Sequence, residues 1–383
     1  MAGGTRVAMK RLVWKKLVGQ TRVKEVLAAG FDSGTLGHAY LFCGEEGVGT
    51  LQAALELGMG LLCASSDEAP CYECESCRKV LHHAHPDFGL VFPVALARDH
   101  RSSSGALSDK GWEYIAATAR ERIAQPYLVP HAEGVRTVPV EWIRETNQAI
   151  QRGPLSGAAK VAVLCGVELM NKESANAMLK TLEEPPAGTT LLLCSEAPHA
   201  VLPTVQSRCQ IMRFGHLSDS DIEAAVRGMA AQEPSGEQMR FVLESAQGSL
   251  GDALQLADDP QPETMRLARE LWAITGMGHT LAAAQALDAL VGGLDAGSGE
   301  KLLIYCMHIV RNSMVVRAGG GRFVPPGAML LADNPESFDP YRAERLLSEC
   351  RRAVRAVRAR GNLALTLLNF TYRVTELLHG EEQ

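Results

Sequence analysis

The segment Gly44-Glu45-Glu46-Gly47-Val48-Gly49-Thr50-Leu51 has the glycine spacing of a loop that cradles phosphates on backbone N–H groups. The apolar run Ala39–Cys43 precedes it, and a helix-compatible stretch from Leu51 to about Gly60 follows. Phosphate chemistry needs Lys and then Ser or Thr at the end of this loop. The amine reaches the β- and γ-phosphates, and the hydroxyl holds Mg²⁺. Thr50 and Leu51 stand at those positions. Gly44, Gly47, Gly49, Thr50 and Leu51 therefore read as the frame of a nucleotide site without its working groups. P-loop ATPases also use a strand that ends in acidic residues to hold the metal. The candidate strand, Val161–Leu164, runs into Cys165-Gly166-Val167-Glu168 and carries no Asp-Glu pair. Two independent losses point to a chain in which hydrolysis has been abandoned.

A second chemistry lies in the cysteines. Cys71, Cys74 and Cys77 form a C-x2-C-x2-C run, and Cys63 precedes it by eight residues. Four thiolates suit a closed tetrahedral zinc with Zn–S near ~2.3 Å, a structural site with no open position for water. His82, His83 and His85 are alternatives to Cys63 as fourth ligand. An iron–sulfur cluster and unliganded thiols are the competing interpretations. The other six cysteines sit in apolar surroundings and read as small buried hydrophobes. Glu183-Glu184-Pro185-Pro186 is not read as an acid–base pair. Adjacent residues do not share a helix face, and the prolines end the helix. Its role is structural, with an interface role as the alternative.

These residues need a scaffold. The 383 residues, 46% apolar and 21% charged, suggest two or three globular domains. A net charge of −6 and a pI near 6.0 argue against coating DNA by bulk charge. There is no apolar run of membrane-spanning length and no secretory h-region, so a cytoplasmic setting without a membrane is expected. Strand-like runs occur at Ala39–Cys43, Phe88–Val94, Val161–Cys165, Thr190–Cys194 and Gln210–Phe214. Helical patterns at Arg22–Phe31, Leu51–Leu62 and Ser174–Leu182 alternate with them, which predicts a parallel sheet in an α/β domain. Residues 95–137 break this pattern as a polar, turn-rich and mobile insertion, with a helical piece at Trp112–Ile123. After Phe214 only helices are expected. The breaks lie at Gly319-Gly320-Gly321 and Pro325-Pro326-Gly327. One helix, Tyr341–Arg360, carries seven arginines opposite an apolar stripe of Leu347, Cys350, Val354 and Val357. It reads as a solvated face, or else as a surface for nucleic acid or an acidic partner.

Taken in order, several stretches resemble bacterial clamp-loader subunits of the AAA+ ATPases. They are Val18-Gly19-Gln20, His38-Ala39-Tyr40-Leu41-Phe42, His85-Pro86-Asp87, Asn176 through Pro186, and Gln206-Ser207-Arg208-Cys209. The resemblance implies an α/β AAA+ P-loop domain over about 1–215, with a five-stranded parallel sheet and an inserted zinc module at about 63–77. It also implies a helical lid over 216–260 and a helical collar for oligomerisation over 261–383. Thr50, Leu51, Cys165-Gly166-Val167-Glu168, and Gly251 in place of a lid arginine resemble the non-hydrolysing delta-prime type rather than the hydrolysing gamma/tau type. The implied role is accessory, with no intrinsic activity, in a DNA polymerase III holoenzyme. The implied partners are gamma/tau and delta subunits in a heteropentamer, and through them the sliding clamp and primed DNA. Arg208 would be an arginine finger for the neighbouring ATP site, with Ser207 and Cys209 positioning the turn. A hydrolysing clamp-loader subunit and a zinc-containing DNA-binding protein are the alternatives.

Overall fold

The structure, a computed structural model, describes residues 10–65, 67–102, 106–128, 137–157, 159–230, 233–234, 236–246, 248–257, 261–317, 340–359 and 361–379. By compactness the chain forms two units. The first holds the chain to Met229 apart from residues 131–135, together with Ala246–Asp252; the second holds Ala230–Ser245 and everything from Ala253 onward.

The first unit runs β1 (Arg11–Leu12), α1 (Thr21–Asp32), β2 (Ala39–Cys43), α2 (Thr50–Leu62), β3 (Glu68–Ala69), α3 (Glu75–Leu81) and β4 (Phe88–Val91). It continues with α4 (Asp109–Ala124), α5 (Val140–Gln151), β5 (Lys160–Cys165), α6 (Lys172–Glu183), β6 (Thr189–Ser195), α7 (Pro203–Gln206), β7 (Gln210–Arg213) and α8 (Asp219–Met229). Five strands form a parallel sheet in the order β4-β5-β6-β2-β7. β2, β5 and β6 are buried at every residue, which is why they read as unbroken apolar runs. β1 and β3 pair separately as a short parallel ribbon. The apolar run from Phe88 stops being a strand at Val91. Pro93 has no N–H to continue a ladder, and Val94 instead bridges antiparallel to Thr137. α5 lies outside the patterns identified above, although Trp142, Ile143, Thr146 and Ile150 recur at helical spacing and are buried.

Two buried carboxylates fasten loops to this core. Glu56 on α2 is fully buried. It accepts the N–H groups of Lys15, Lys16 and Leu17 at 2.8–3.0 Å and the Tyr72 hydroxyl at 2.5 Å. Asp87, immediately before β4, accepts the N–H groups of Leu155 and Ser156 at 2.7 Å and lies 3.5 Å from the Lys160 ammonium. The Lys160 ammonium also donates to the Ala149 carbonyl at 2.7 Å.

The second unit is helical: α9 (Gly236–Ala246), the latter part of α10 (Leu250–Ala257), α11 (Gln261–Gly276), α12 (Leu281–Val291), α13 (Ala296–Arg317), α14 (Pro340–Arg358) and α15 (Leu363–His379). Leu302, Cys306 and Val310 of α13 are buried, as are Leu346 and Cys350 of α14 and Phe370 of α15. On α14 the buried stripe is Leu346, Cys350, Ala353, Val354 and Val357, while Arg345, Arg351, Arg352 and Arg355 are exposed. The amphipathic expectation for this helix holds with Leu346 in place of Leu347. The glycine and proline breaks near residues 319–327, and Arg360, lie outside the described residues.

Burial pushes the Asp87 carboxyl up, but hydrogen bonds from Ser156 and Leu155 and the Lys160 charge outweigh it and hold the group below the ordinary carboxylate range. A depressed folded value means that this stabilisation is complete above the unfolded value near ~3.9 and is lost as pH falls through the folded one. Replacing Asp87 by Asn strands the Lys160 charge and should cost about 3 kcal/mol in urea unfolding at neutral pH. Below about pH 4 the stability of the variant should fall less steeply than that of the native chain.

Candidate functional site

The glycine loop leaves β2 and enters α2 at the C-terminal edge of the sheet. Gly47 and Gly49 take positive φ, 81° and 103°, a region that favours glycine. The Leu51 side chain is 4% exposed and belongs to the core. Its position has been absorbed into packing as well as losing a hydroxyl.

The chain itself covers this loop. The Ser249 hydroxyl donates to the Glu46 carbonyl at 3.0 Å, and the Leu250 N–H donates to the Gly47 carbonyl at 3.1 Å. A side chain at Gly251 would place its Cβ 2.4 Å from the Tyr127 carbonyl oxygen and 3.0 Å from Gly47 Cα. Three backbone segments therefore meet here at van der Waals distance. Tyr127 is 4% exposed. Its hydroxyl accepts from the Val18 N–H at 2.8 Å and donates to the Lys16 carbonyl at 3.1 Å. Gln20 donates to the Val48 carbonyl at 3.2 Å and to the Gly215 carbonyl at 2.7 Å, which ties the loop to the segment after β7.

The neighbouring strand ends carry no acidic pair. Cys165 and Cys194 are register partners at the ends of β5 and β6. Arg122 of α4 is buried, lies 5.2 Å from the Phe92 ring, and acts on both thiols. Tyr127 and Arg122 both come from the 95–137 segment, and no local sequence signal marks Tyr127 as a partner of the loop or Arg122 as a neighbour of the strand ends.

In the cysteine cluster the four Sγ atoms of Cys63, Cys71, Cys74 and Cys77 lie within 4.8 Å of one another. The Cys63–Cys74 and Cys71–Cys77 separations are 3.9 and 4.0 Å. A tetrahedron with Zn–S near ~2.3 Å has edges of about 3.8 Å, so the donor set fits zinc. The sulfurs also accept backbone N–H groups: Cys74 to Cys71 at 3.3 Å, Cys77 to Cys74 at 3.4 Å, and Ser65 to Cys63 at 3.4 Å. Burial pushes the Cys74 thiol up, but the N–H groups of Cys77 and Ala64 and the adjacent thiols outweigh it and draw it down to about 6. Among the histidine alternatives, both ring nitrogens of His85 are engaged elsewhere: Nε2 with the Ser76 hydroxyl at 2.9 Å, Nδ1 accepting the Asp87 N–H at 3.0 Å. Cys63 brings the fourth sulfur to this cluster.

Arg208 follows α7 and stands two residues before β7. One of its terminal nitrogens donates to the Thr204 carbonyl at 2.7 Å, and the other meets the Glu183 carboxylate at 2.5 Å. Ser207 is 3.4 Å from the first, and Cys209 is half-buried beside the sheet core. β7 is parallel to β2, with Tyr40 opposite Gln210 and Cys43 opposite Arg213. Arg208 therefore lies at the N-terminal edge of the strands and the glycine loop at the C-terminal edge. At ~3.3 Å per residue the two are separated by about 20 Å along the strand direction. The arginine cannot serve its own chain's loop.

Metal analysis of the purified chain should find about one zinc per chain. Cys71→Ser should lose that metal and melt the module around α3, lowering the Tm. A chain that keeps its Tm in strong chelator contradicts a structural metal.

A family model described as "DNA polymerase III, delta subunit" matches residues 19–218. The DNA polymerase III subunit tau of Salmonella typhimurium is 30% identical over 75% of this chain and 39% of its own length. The delta' subunit of Bacillus subtilis is 27% identical over 64% of this chain and 61% of its own. A gamma subunit-related protein from Thermotoga maritima superposes with a TM-score of 0.45 at 14% identity, over 94% of this chain and 99% of that one. This chain thus spans less than two thirds of the length of these tau and delta' relatives. No described helix is long and apolar enough to cross a membrane. The family match covers the glycine loop, the cysteine cluster and the arginine turn together, and the chain belongs to the clamp-loader subunits of DNA polymerase III.

Proposed function

We propose that this chain is the non-hydrolysing, delta-prime-type subunit of a bacterial clamp loader. It serves in the cytoplasm with gamma/tau and delta subunits in a heteropentamer that places the sliding clamp on primed DNA. The unit of parallel strands acts as the AAA+ domain, residues 216–260 as its lid and residues 261–383 as the oligomerising collar. The chain supplies Arg208 to the ATP site of the neighbouring gamma/tau subunit. Ser207 and Cys209 hold the turn that carries it, and zinc braces the module between α2 and β4.

The observation that carries this reading is the opposition of Arg208 and the glycine loop across the sheet. A guanidinium placed this far from its own loop could act on a bound nucleotide only in another chain. There it would neutralise charge developing on the γ-phosphate, an effect worth roughly 10³–10⁵ in rate. Its permanent charge and planar fork of donors suit that task. On its own side the loop lacks an amine and a Mg²⁺ ligand, and it is closed by Ser249–Gly251 and Tyr127. ATP hydrolysis by this chain is not expected.

The identity to tau subunits favours one rival, a hydrolysing gamma/tau-type subunit. The purified chain separates the two: no ATPase above background is expected, and DNA-stimulated turnover would contradict the proposal. In the reconstituted complex, Arg208→Ala should leave assembly intact and slow the single site it serves by roughly 10³. Unchanged ATPase of the complex would remove the finger.

A further inference from the structure

The Glu183-Glu184-Pro185-Pro186 stretch has no part in the function derived so far. In the structure it meets the arginine turn. Glu183 is the last residue of α6, where the two prolines end the helix, and α6 packs against α7. Two carboxylates at a helix C-terminus oppose the helix dipole, an arrangement that costs stability unless a cation compensates it. The cation is Arg208, whose second terminal nitrogen lies 2.5 Å from Glu183 Oε1. The other terminal nitrogen is held by the Thr204 carbonyl at 2.7 Å. The guanidinium fork is thus engaged at both tips by its own chain, and the side chain is only 33% exposed. A finger held in this way must release Glu183 before it reaches a neighbour.

We infer that Glu183 is a positioning residue, a competing anion that sheathes Arg208 until the γ-phosphate of the neighbouring subunit's nucleotide displaces it. This rests on the reading of Arg208 as a finger. The exchange is electrostatically sound. A carboxylate carries one negative charge, whereas a triphosphate end carries more and offers several oxygens to the same fork. The pair is partly exposed, 33% for Arg208 and 48% for Glu183, so it is weak enough to break. It is also strong enough to bias an idle complex. An exposed pair supports a bias of about twofold to fivefold, far below what the finger contributes once engaged. The sheath therefore suppresses hydrolysis chiefly when the ring is incompletely closed, where the phosphate is not yet in reach.

The test uses the reconstituted complex of gamma/tau, delta and this chain. ATPase is measured without clamp and DNA and again with both, for the native chain, Glu183→Gln, Glu183→Asp, Arg208→Ala and the double variant Glu183→Gln/Arg208→Ala. Glu183→Gln should raise the idle rate about twofold to fivefold, lower the KM for ATP, and so reduce the ratio of stimulated to idle rate by the same factor. Glu183→Asp should restore much of the native ratio, and the double variant should behave as Arg208→Ala. An unchanged ratio in Glu183→Gln, alongside a fall in Arg208→Ala, overturns the sheath and leaves the finger standing. A parallel fall of both rates in Glu183→Gln also overturns it, because Glu183 would then present the finger rather than withhold it. Normal rates in Arg208→Ala overturn the finger and the sheath together. Size-exclusion of each complex confirms that the rates compared come from assembled rings.

Discussion

The site depends on β2 and on the parallel direction of its two neighbours. β2 pairs with β6 on one side and β7 on the other, and every residue from Ala39 to Cys43 is buried. A parallel ladder sends all strand C-terminal ends to one edge of the sheet and all N-terminal ends to the other. The glycine loop, the Cys165–Gly166 turn and Ser195 therefore share one edge. The end of α6, the α7 turn and Arg208 share the opposite one. An antiparallel β7 would have brought Arg208 to the loop of its own chain. Strand direction thus sets Arg208 away from the glycine loop of its own chain.

At the loop edge, the segment Ser249–Gly251 and Tyr127 pack against the glycine loop. Gly251 is small enough for its backbone to touch both Gly47 and the Tyr127 carbonyl. Ser249 and Leu250 then satisfy the Glu46 and Gly47 carbonyls. The loop that lacks Lys and a following Ser or Thr is thus also the loop that its own chain packs against. A loop that need not open gains stability by closing on its own chain, since its polar backbone finds permanent partners. Nearby, the cysteine cluster and Glu56 fasten the segments around α2, where short irregular stretches have few apolar residues of their own to pack.

Much of this was legible in the sequence because it is local. The glycine loop, the C-x2-C-x2-C run and the Ser-Arg-Cys turn are each encoded within a few residues, and the buried strands announce themselves as apolar runs. The rest was not legible because it arises from pairs distant in the chain. Tyr127 meets Lys16 and Val18 across more than a hundred residues. Asp87 meets Leu155 and Ser156, nearly seventy residues away. A buried carboxylate such as Glu56 looks like any surface glutamate in a helical pattern until the segment folded against it is known. Glu183 and Arg208, too, acquire meaning only when α6 and α7 are laid side by side. That Cys63 joins the other three sulfurs likewise appears only in the folded chain.

The central proposal is that this chain supplies Arg208 to a neighbour's nucleotide and leaves its own glycine loop empty. A structure of the assembled complex, trapped with a non-hydrolysable ATP analogue, tests it most directly. The account predicts no nucleotide against Gly44–Leu51, and the Arg208 guanidinium hydrogen-bonded to the γ-phosphate of the adjacent subunit, released from Glu183. Nucleotide seated in this chain's own glycine loop, or Arg208 directed away from every γ-phosphate in a closed ring, would contradict it.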